Sequence, residues 1–198
     1  MKKKRLLALL LSLVMIFSST LTTFADESGE EGTTIDASTW TPEDFVYTSY
    51  EKLLYGCDYT RQITIKGSAI AGFSELGEAK LALNTDLVLP AVDDEGYSVV
   101  GVAQGAFKDK GLTSVQFPTG MMVDYDDTVT NKITKRGNFV IAENAFSGNN
   151  LTSVTLPEGV IAVLPHAFNN NKIETVKLPK TIWWIETMSF ANNRKQLW

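Results

Sequence analysis

Few residues in this sequence are equipped for chemistry, and their spacing decides what chemistry that is. The 198-residue chain has one histidine, His166, and one cysteine, Cys57. A hydrolytic triad needs a histidine beside a nucleophile and an acid, and no Ser, Asp or Cys motif of that kind accompanies His166. A single cysteine excludes a four-thiolate zinc site and a disulfide-stapled scaffold. Asp124, Tyr125, Asp126 and Asp127 offer oxygen ligands to calcium, but they lack the spacing and the glycine of an EF-hand loop. They read as a solvated acidic loop. Leu178-Pro179-Lys180-Thr181 opens like a wall-sorting signal, but Ile182 follows where glycine is needed. Asn150-Leu151-Thr152 has the form of a glycosylation sequon at a repeat turn and is assigned no role. There is no Gly-rich phosphate loop and no paired-carboxylate signature. The expectation is a non-enzyme with no catalytic residue, no cofactor and no bound metal.

Elements must then be found that present a binding surface. Hydrophobic residues make up 44% of the chain and charged residues 21%, enough to form a core. Lys2-Lys3-Lys4-Arg5 precedes an apolar run from Leu6 to Phe17, and small residues lead to Thr23-Phe24-Ala25. This is the pattern of a secretory signal peptide over 1–25. Its removal takes four basic and no acidic residues. The remainder carries 14 basic against 23 acidic, so the net charge moves from −5 to −9. Such a chain is expected to be secreted or at the cell surface, with no nucleic acid as partner and no membrane after cleavage. Leu53-Leu54-Tyr55-Gly56-Cys57 faintly resembles a lipoprotein acylation box. No apolar segment precedes it, and Cys57 reads as structural. Residues 26–39 are acidic and rich in Gly, Ser and Thr, and read as a disordered spacer.

Internal repetition organises the rest. Ala-Phe occurs at Ala106-Phe107, Ala145-Phe146 and Ala167-Phe168, with Ser189-Phe190 as a fourth instance. Phe146 to Phe168 and Phe168 to Phe190 are both steps of 22 residues. Five residues before each Phe stand Val102, Ile141, Val163 and Ile185. After the first three come, in register, Leu112, Leu151 and Ile173; Val115, Val154 and Val176; Phe117, Leu156 and Leu178; then Pro118, Pro157 and Pro179. The step from Phe107 to Phe146 is 39, so one repeat carries 17 extra residues, mostly within 119–138. The Leu-x-x-Val-x-Leu-Pro stretch alternates like a half-buried strand closed by proline. Asn149-Asn150, Asn169-Asn170-Asn171 and Asn192-Asn193 supply turns. One such unit cannot bury its own apolar face, but stacked units can. The expected fold is mainly β: a solenoid of about 22-residue repeats with short parallel strands.

The units Val163-Leu164-Pro165-His166-Ala167-Phe168 and Ile173-Glu174-Thr175-Val176-Lys177-Leu178-Pro179 resemble bacterial leucine-rich repeats of the BspA-like surface-protein type. The resemblance covers roughly residues 87–190. It departs from the commoner Leu-x-x-Leu-x-Leu-x-x-Asn form, since Pro follows the strand and Ala-Phe ends the return. It implies a surface domain of a secreted or wall-attached bacterial protein, engaged in adhesion to host proteins or other cells.

Residues 40–86 are expected to cap the N-terminal end of the solenoid over 87–198, with strands at 45–48 and 62–67 and a helical turn near 42–45. Leu87-Val88-Leu89-Pro90 reads as a first repeat strand. Pro90 to Phe107 spans 17 residues instead of 11, placing six extra around Asp93-Asp94-Glu95-Gly96. The last repeat is incomplete: Lys195 and Trp198 hold its aliphatic slots, and one of Trp183 and Trp184 is expected to face outward. This end reads as a truncated product of a longer protein or as a binding edge.

The expected function is a non-enzymatic binding or adhesion module for a protein or glycan ligand on a host or bacterial surface. Its recognition face would be Thr113, Ser114, Thr152, Ser153, Thr155, Glu174, Thr175 and Lys177, with Met121, Met122 and Tyr125 of the insertion as a second contact. A structural spacer of a longer surface protein, or an accessory domain of a wall- or glycan-active enzyme, is the alternative.

Overall fold

The computed structural model describes residues 35–55, 62–127 and 132–194. The expected signal peptide, the first part of the spacer, Cys57, Lys195 and Trp198 lie outside the described residues. In chain order the strands are β1 (Phe45–Tyr55), β2 (Gln62–Phe73), β3 (Asp86–Val88), β4 (Val99–Val102), β5 (Ser114–Gln116) and β6 (Met122–Asp127). They continue with β7 (Lys132–Gly137), β8 (Phe139–Ile141), β9 (Ser153–Thr155), β10 (Val160–Val163), β11 (Thr175–Lys177) and β12 (Trp184–Ile185). A short 3-10 turn covers Pro42–Asp44, and one α-helix, α1, covers Glu75–Leu81.

The largest sheet has six strands in the order β1-β2-β4-β8-β10-β12. Its first pair is antiparallel and every later pair is parallel. This corrects one expectation about the repeat. The Leu-x-x-Val-x-Leu-Pro strands, expected to run parallel along the whole stack, pair only two by two, β3 with β5 and β9 with β11. The continuous sheet is built from the segment just before each Ala-Phe turn. Its strands β4, β8 and β10 are buried along their whole length. Unbroken apolar runs such as Val160-Ile161-Ala162-Val163 are the mark of a strand covered on both faces. The alternating Ser153-Val154-Thr155 is covered on one face only.

One face of the large sheet meets the β3, β5, β9 and β11 ribbons across a core of Val102, Ile141, Val163, Leu112, Leu151, Ile173 and the Ala-Phe rings. The repeat phenylalanines form a column. Phe146 and Phe168 stack at 5.2 Å with 4° between planes, Phe168 and Phe190 at 5.2 Å and 6°, and Phe107 and Phe146 at 5.4 Å and 23°. Phe73 and Phe45 close the column beyond Phe107, and Trp40 packs on both. The opposite face of the sheet carries Val100, Val140, Ile161 and Leu164, clustered with Leu54, Ile63 and Ile65 of the β1–β2 hairpin. A Cβ on Gly67 would sit 2.8 Å from a Val100 methyl carbon, so a side chain there would hold the hairpin away from the sheet.

An asparagine three residues after Phe146, Phe168 and Phe190 ties neighbouring repeats. Asn149 Nδ2 donates to the Phe107 and Phe146 carbonyls at 2.8 and 2.9 Å. Asn171 Nδ2 does the same to Phe146 and Phe168 at 2.9 and 3.1 Å, and Asn193 Nδ2 to Phe168 and Phe190 at 3.1 and 2.8 Å. Their Oδ1 atoms accept from the backbone N–H groups of Leu112, Leu151 and Ile173. The turn residues expected to bond local backbone therefore also bridge adjacent repeats.

The strands expected near 45–48 and 62–67 are present and longer than the sequence suggested, and the turn near 42–45 is present as Pro42–Asp44. Helix α1 is an addition. Ser74 caps it by accepting from Gly77 N–H at 3.2 Å, and Glu75 and Glu78 occupy its first turn. Its Lys80 forms a buried pair with Asp44 at 2.7 Å and also donates to the Thr39 carbonyl at 3.0 Å. In the last described repeat Leu178, Trp183, Ile185 and Met188 are exposed, while Trp184 packs against the second cluster.

Candidate binding surfaces

Thr113, Ser114, Thr152, Ser153, Thr155, Glu174, Thr175 and Lys177 are all exposed. The alternation of β5, β9 and β11 puts Val115, Val154 and Val176 inward and the flanking residues outward. Strand pairing then aligns them: Ser153 beside Thr175 and Thr155 beside Lys177. On the neighbouring ribbon Asp86 lies beside Ser114 and Val88 beside Gln116. Adjacent strands stand about 4.8 Å apart, so the outward side chains form closely spaced rows.

Asp86 was not singled out from the sequence, yet it organises one end of this surface. Its Oδ1 accepts from Thr113 Oγ1 at 2.8 Å and from Ser114 Oγ at 2.7 Å. Those two hydroxyls, Ser114 first, hold its carboxyl below the usual carboxylate range. Nothing in its local sequence separates it from other exposed acids; only the β3–β5 register does. Glu174 lies 3.7 Å from Arg194. Among the described residues Thr152, Ser153, Thr155, Thr175 and Lys177 have no side-chain partner, leaving four hydroxyls and one ammonium free for a ligand.

The insertion folds as the β6–β7 hairpin, with Tyr125 opposite Thr134. Its three named contacts separate. Met121 is only 7% exposed and belongs to the main core, so the outward role expected of it is corrected. Its backbone lies against Gly159, where an added Cβ would be 2.5 Å from the Met121 carbonyl oxygen. Met122 is half-buried. The side chain of Tyr125 lies outside the described residues. Asp124 is taken by Lys135 Nζ at 2.7 Å, an exposed cross-strand pair.

His166 has a turn role. Gly105, Asn144, His166 and Met188 occupy the same position of successive repeats, and all adopt positive φ, between 57° and 66°. The position is thus constrained in backbone and not in side chain. His166 Nδ1 lies 3.3 Å from Asn169 Nδ2 within its own turn. Thr181, from the Leu-Pro-Lys-Thr stretch, bridges repeats by accepting from Gly159 N–H and donating to the Val160 carbonyl. Asn150 of the sequon donates to the Gly111 carbonyl at 3.3 Å. Among the described residues no helix is long and apolar enough to cross a membrane.

Comparison with known proteins finds the same type of repeat. Residues 101–196 match the family model described as BspA type Leucine rich repeat region, in six copies. No curated protein and no solved structure matches the chain. A repeat region of this kind is a protein-binding or structural module. The aligned Ala-Phe turns, the paired short strands and the family match together make residues 101–196 a leucine-rich repeat region of the BspA type.

Proposed function

We propose that the chain is an exported, non-enzymatic binding module at a bacterial surface. Its repeats stack as a solenoid, residues 40–86 cap one end, and the outward ribbons of β5, β9 and β11 engage a protein or glycan ligand on a host or bacterial surface. One observation carries this reading. Both faces of the central sheet strands are covered, while eight polar side chains in repeat register stand exposed on the short strands. A rigid ladder presents its side chains without further ordering cost, which favours recognition.

The test is capture from immobilised matrix proteins, mucins and bacterial glycans. The native chain is compared with the triple variant Ser153→Lys, Thr155→Lys, Thr175→Lys, whose changes are on exposed positions and leave the core intact. Saturable binding by the native chain and its loss in the variant is the expected result. Equal binding by both removes the ribbons as the site. If only deletion of the β6–β7 hairpin abolishes capture, the insertion is the site.

A further inference from the structure

The six residues that break the repeat spacing before β4 build a feature the ribbons do not use. Residues 93–97 form a tight turn fixed by Asp93, whose Oδ1 accepts from the backbone N–H of Glu95 and Tyr97 at 3.1 and 2.8 Å. The main chain closes the same turn, Asp93 N–H donating to the Tyr97 carbonyl at 2.8 Å and Gly96 N–H to the Asp93 carbonyl at 3.1 Å. This turn walls a groove of about 830 Å³ over the β1–β2 hairpin. Ser49 and Ser68, a cross-strand pair, are the small residues of its floor. Tyr47 lies on one side of them and the Glu51–Lys66 ion pair, at 2.9 Å, on the other. Tyr97 lines the groove and is 65% exposed, carried on the turn instead of packed away.

We propose that this groove is a saccharide-binding site for uncharged glycans of two to four sugar units. A protruding aromatic ring above a polar floor matches the two-sided chemistry of a sugar: apolar C–H faces stack on the ring, and hydroxyls bond to the polar groups. Asp94 and Glu95 on the rim are free acceptors for sugar hydroxyls, and charge-assisted bonds of this kind are the stronger ones. Ser49 and Ser68 can donate or accept. The same rim acids repel sialylated and uronate glycans. Burial first, and then the nearby acids Asp94 and Asp93, push the Tyr47 hydroxyl well above its ordinary range. The volume fits a short oligosaccharide. The site is separate from the ribbons, so each can be lost without the other.

The experiment titrates the purified chain with neutral tetrasaccharides of glucose, galactose, mannose and N-acetylglucosamine, read by saturation-transfer NMR and calorimetry at low and high salt. At least one probe is expected to bind, with an affinity unchanged by salt. Tyr97→Ala should weaken it about tenfold and Tyr97→Phe by less than about twofold, since stacking needs the ring and not the hydroxyl. Tyr97 is exposed, so its replacement does not threaten folding, and circular dichroism checks this. The triple ribbon variant should bind these probes like the native chain. The proposal is overturned if none of the four saturates, or if Tyr97→Ala binds as well as the native chain. Preferential, salt-sensitive binding of a basic peptide at the same residues also overturns it.

Discussion

Replacing Asn149 with alanine tests how the repeats are held together. The side chain is buried, and it makes four backbone hydrogen bonds of 3.1 Å or shorter and a fifth, to the Ser147 carbonyl, at 3.5 Å. Nδ2 donates to the carbonyls of Phe107 and Phe146, while Oδ1 accepts from the N–H groups of Lys110 and Leu112 at 3.1 and 3.0 Å. Alanine removes every one of these bonds. The Phe146 carbonyl keeps a donor, because Asn171 Nδ2 also reaches it. The Leu112 N–H is left buried, and an unsatisfied buried group costs about 1–3 kcal/mol. Adding the more exposed Lys110 N–H and the Phe107 carbonyl gives a loss of roughly 3–5 kcal/mol, a large part of a domain's stability. Asn171→Ala orphans one N–H, that of Leu151, while the Phe146 and Phe168 carbonyls keep Asn149 and Asn193 as donors and the Asn169 carbonyl keeps the Gly148 N–H. It should cost less, about 2–3 kcal/mol. Asn150→Ala loses one long, half-buried bond and should cost less than about 1 kcal/mol. Urea unfolding followed by circular dichroism measures all three, with unchanged m-values as the sign of an intact transition. The order Asn149, Asn171, Asn150 is the prediction. If Asn149→Ala unfolds no more easily than Asn150→Ala, the inter-repeat ladder does not hold the stack.

Three further outcomes follow from the same geometry. Met188→Gly should stabilise by about 0.5–1 kcal/mol, because Met188 holds φ at 59° and its side chain is mostly exposed; a thermal melt reads the change. Phe168→Ala should cost about 3–5 kcal/mol in the same unfolding assay and more than Phe190→Ala, since Phe168 is stacked between two rings. Burial pushes the Tyr50 hydroxyl up to about 12, so the unfolded chain releases that proton near pH 10 while the folded one holds it. Stability from this group is therefore full below pH 10 and falls as pH rises towards 12. Tyr50→Phe should flatten that loss between pH 10 and 12, and should also stabilise by about 1 kcal/mol at neutral pH, because the buried hydroxyl has no partner among the described residues.

The repeat register was legible because each slot has a fixed physical demand. Phe146, Phe168 and Phe190 must meet at one column, and the valines at 115, 154 and 176 must point inward. The choice of main sheet was not legible in the same way. Val160-Ile161-Ala162-Val163 and Leu151-Thr152-Ser153-Val154 are both strand-like, and only the covering of the outer face by Leu54, Ile63 and Ile65 decides between them. That covering comes from a hairpin about 100 residues away in sequence, a contact no local pattern reports. Helix α1 is short and contains Gly77, so its propensity is weak. It is stabilised instead by its fit against the Pro42–Asp44 turn, where an added Cβ on Gly77 would lie 2.0 Å from the Asp44 carbonyl oxygen. The candidate face was legible through its alternation. Asp86 was not, because its role depends on the β3–β5 pairing. Tyr97 stood beside the six-residue excess but carried no signal until the structure placed it, exposed, on the turn.

Hydrogen–deuterium exchange with a captured ligand tests the central claim most directly. The ribbons are proposed as the recognition face, so added protection should fall on residues 113–116, 152–155 and 174–177. The buried strands β4, β8 and β10 should not change. Protection confined to the β6–β7 hairpin, or spread without regard to repeat register, contradicts the account.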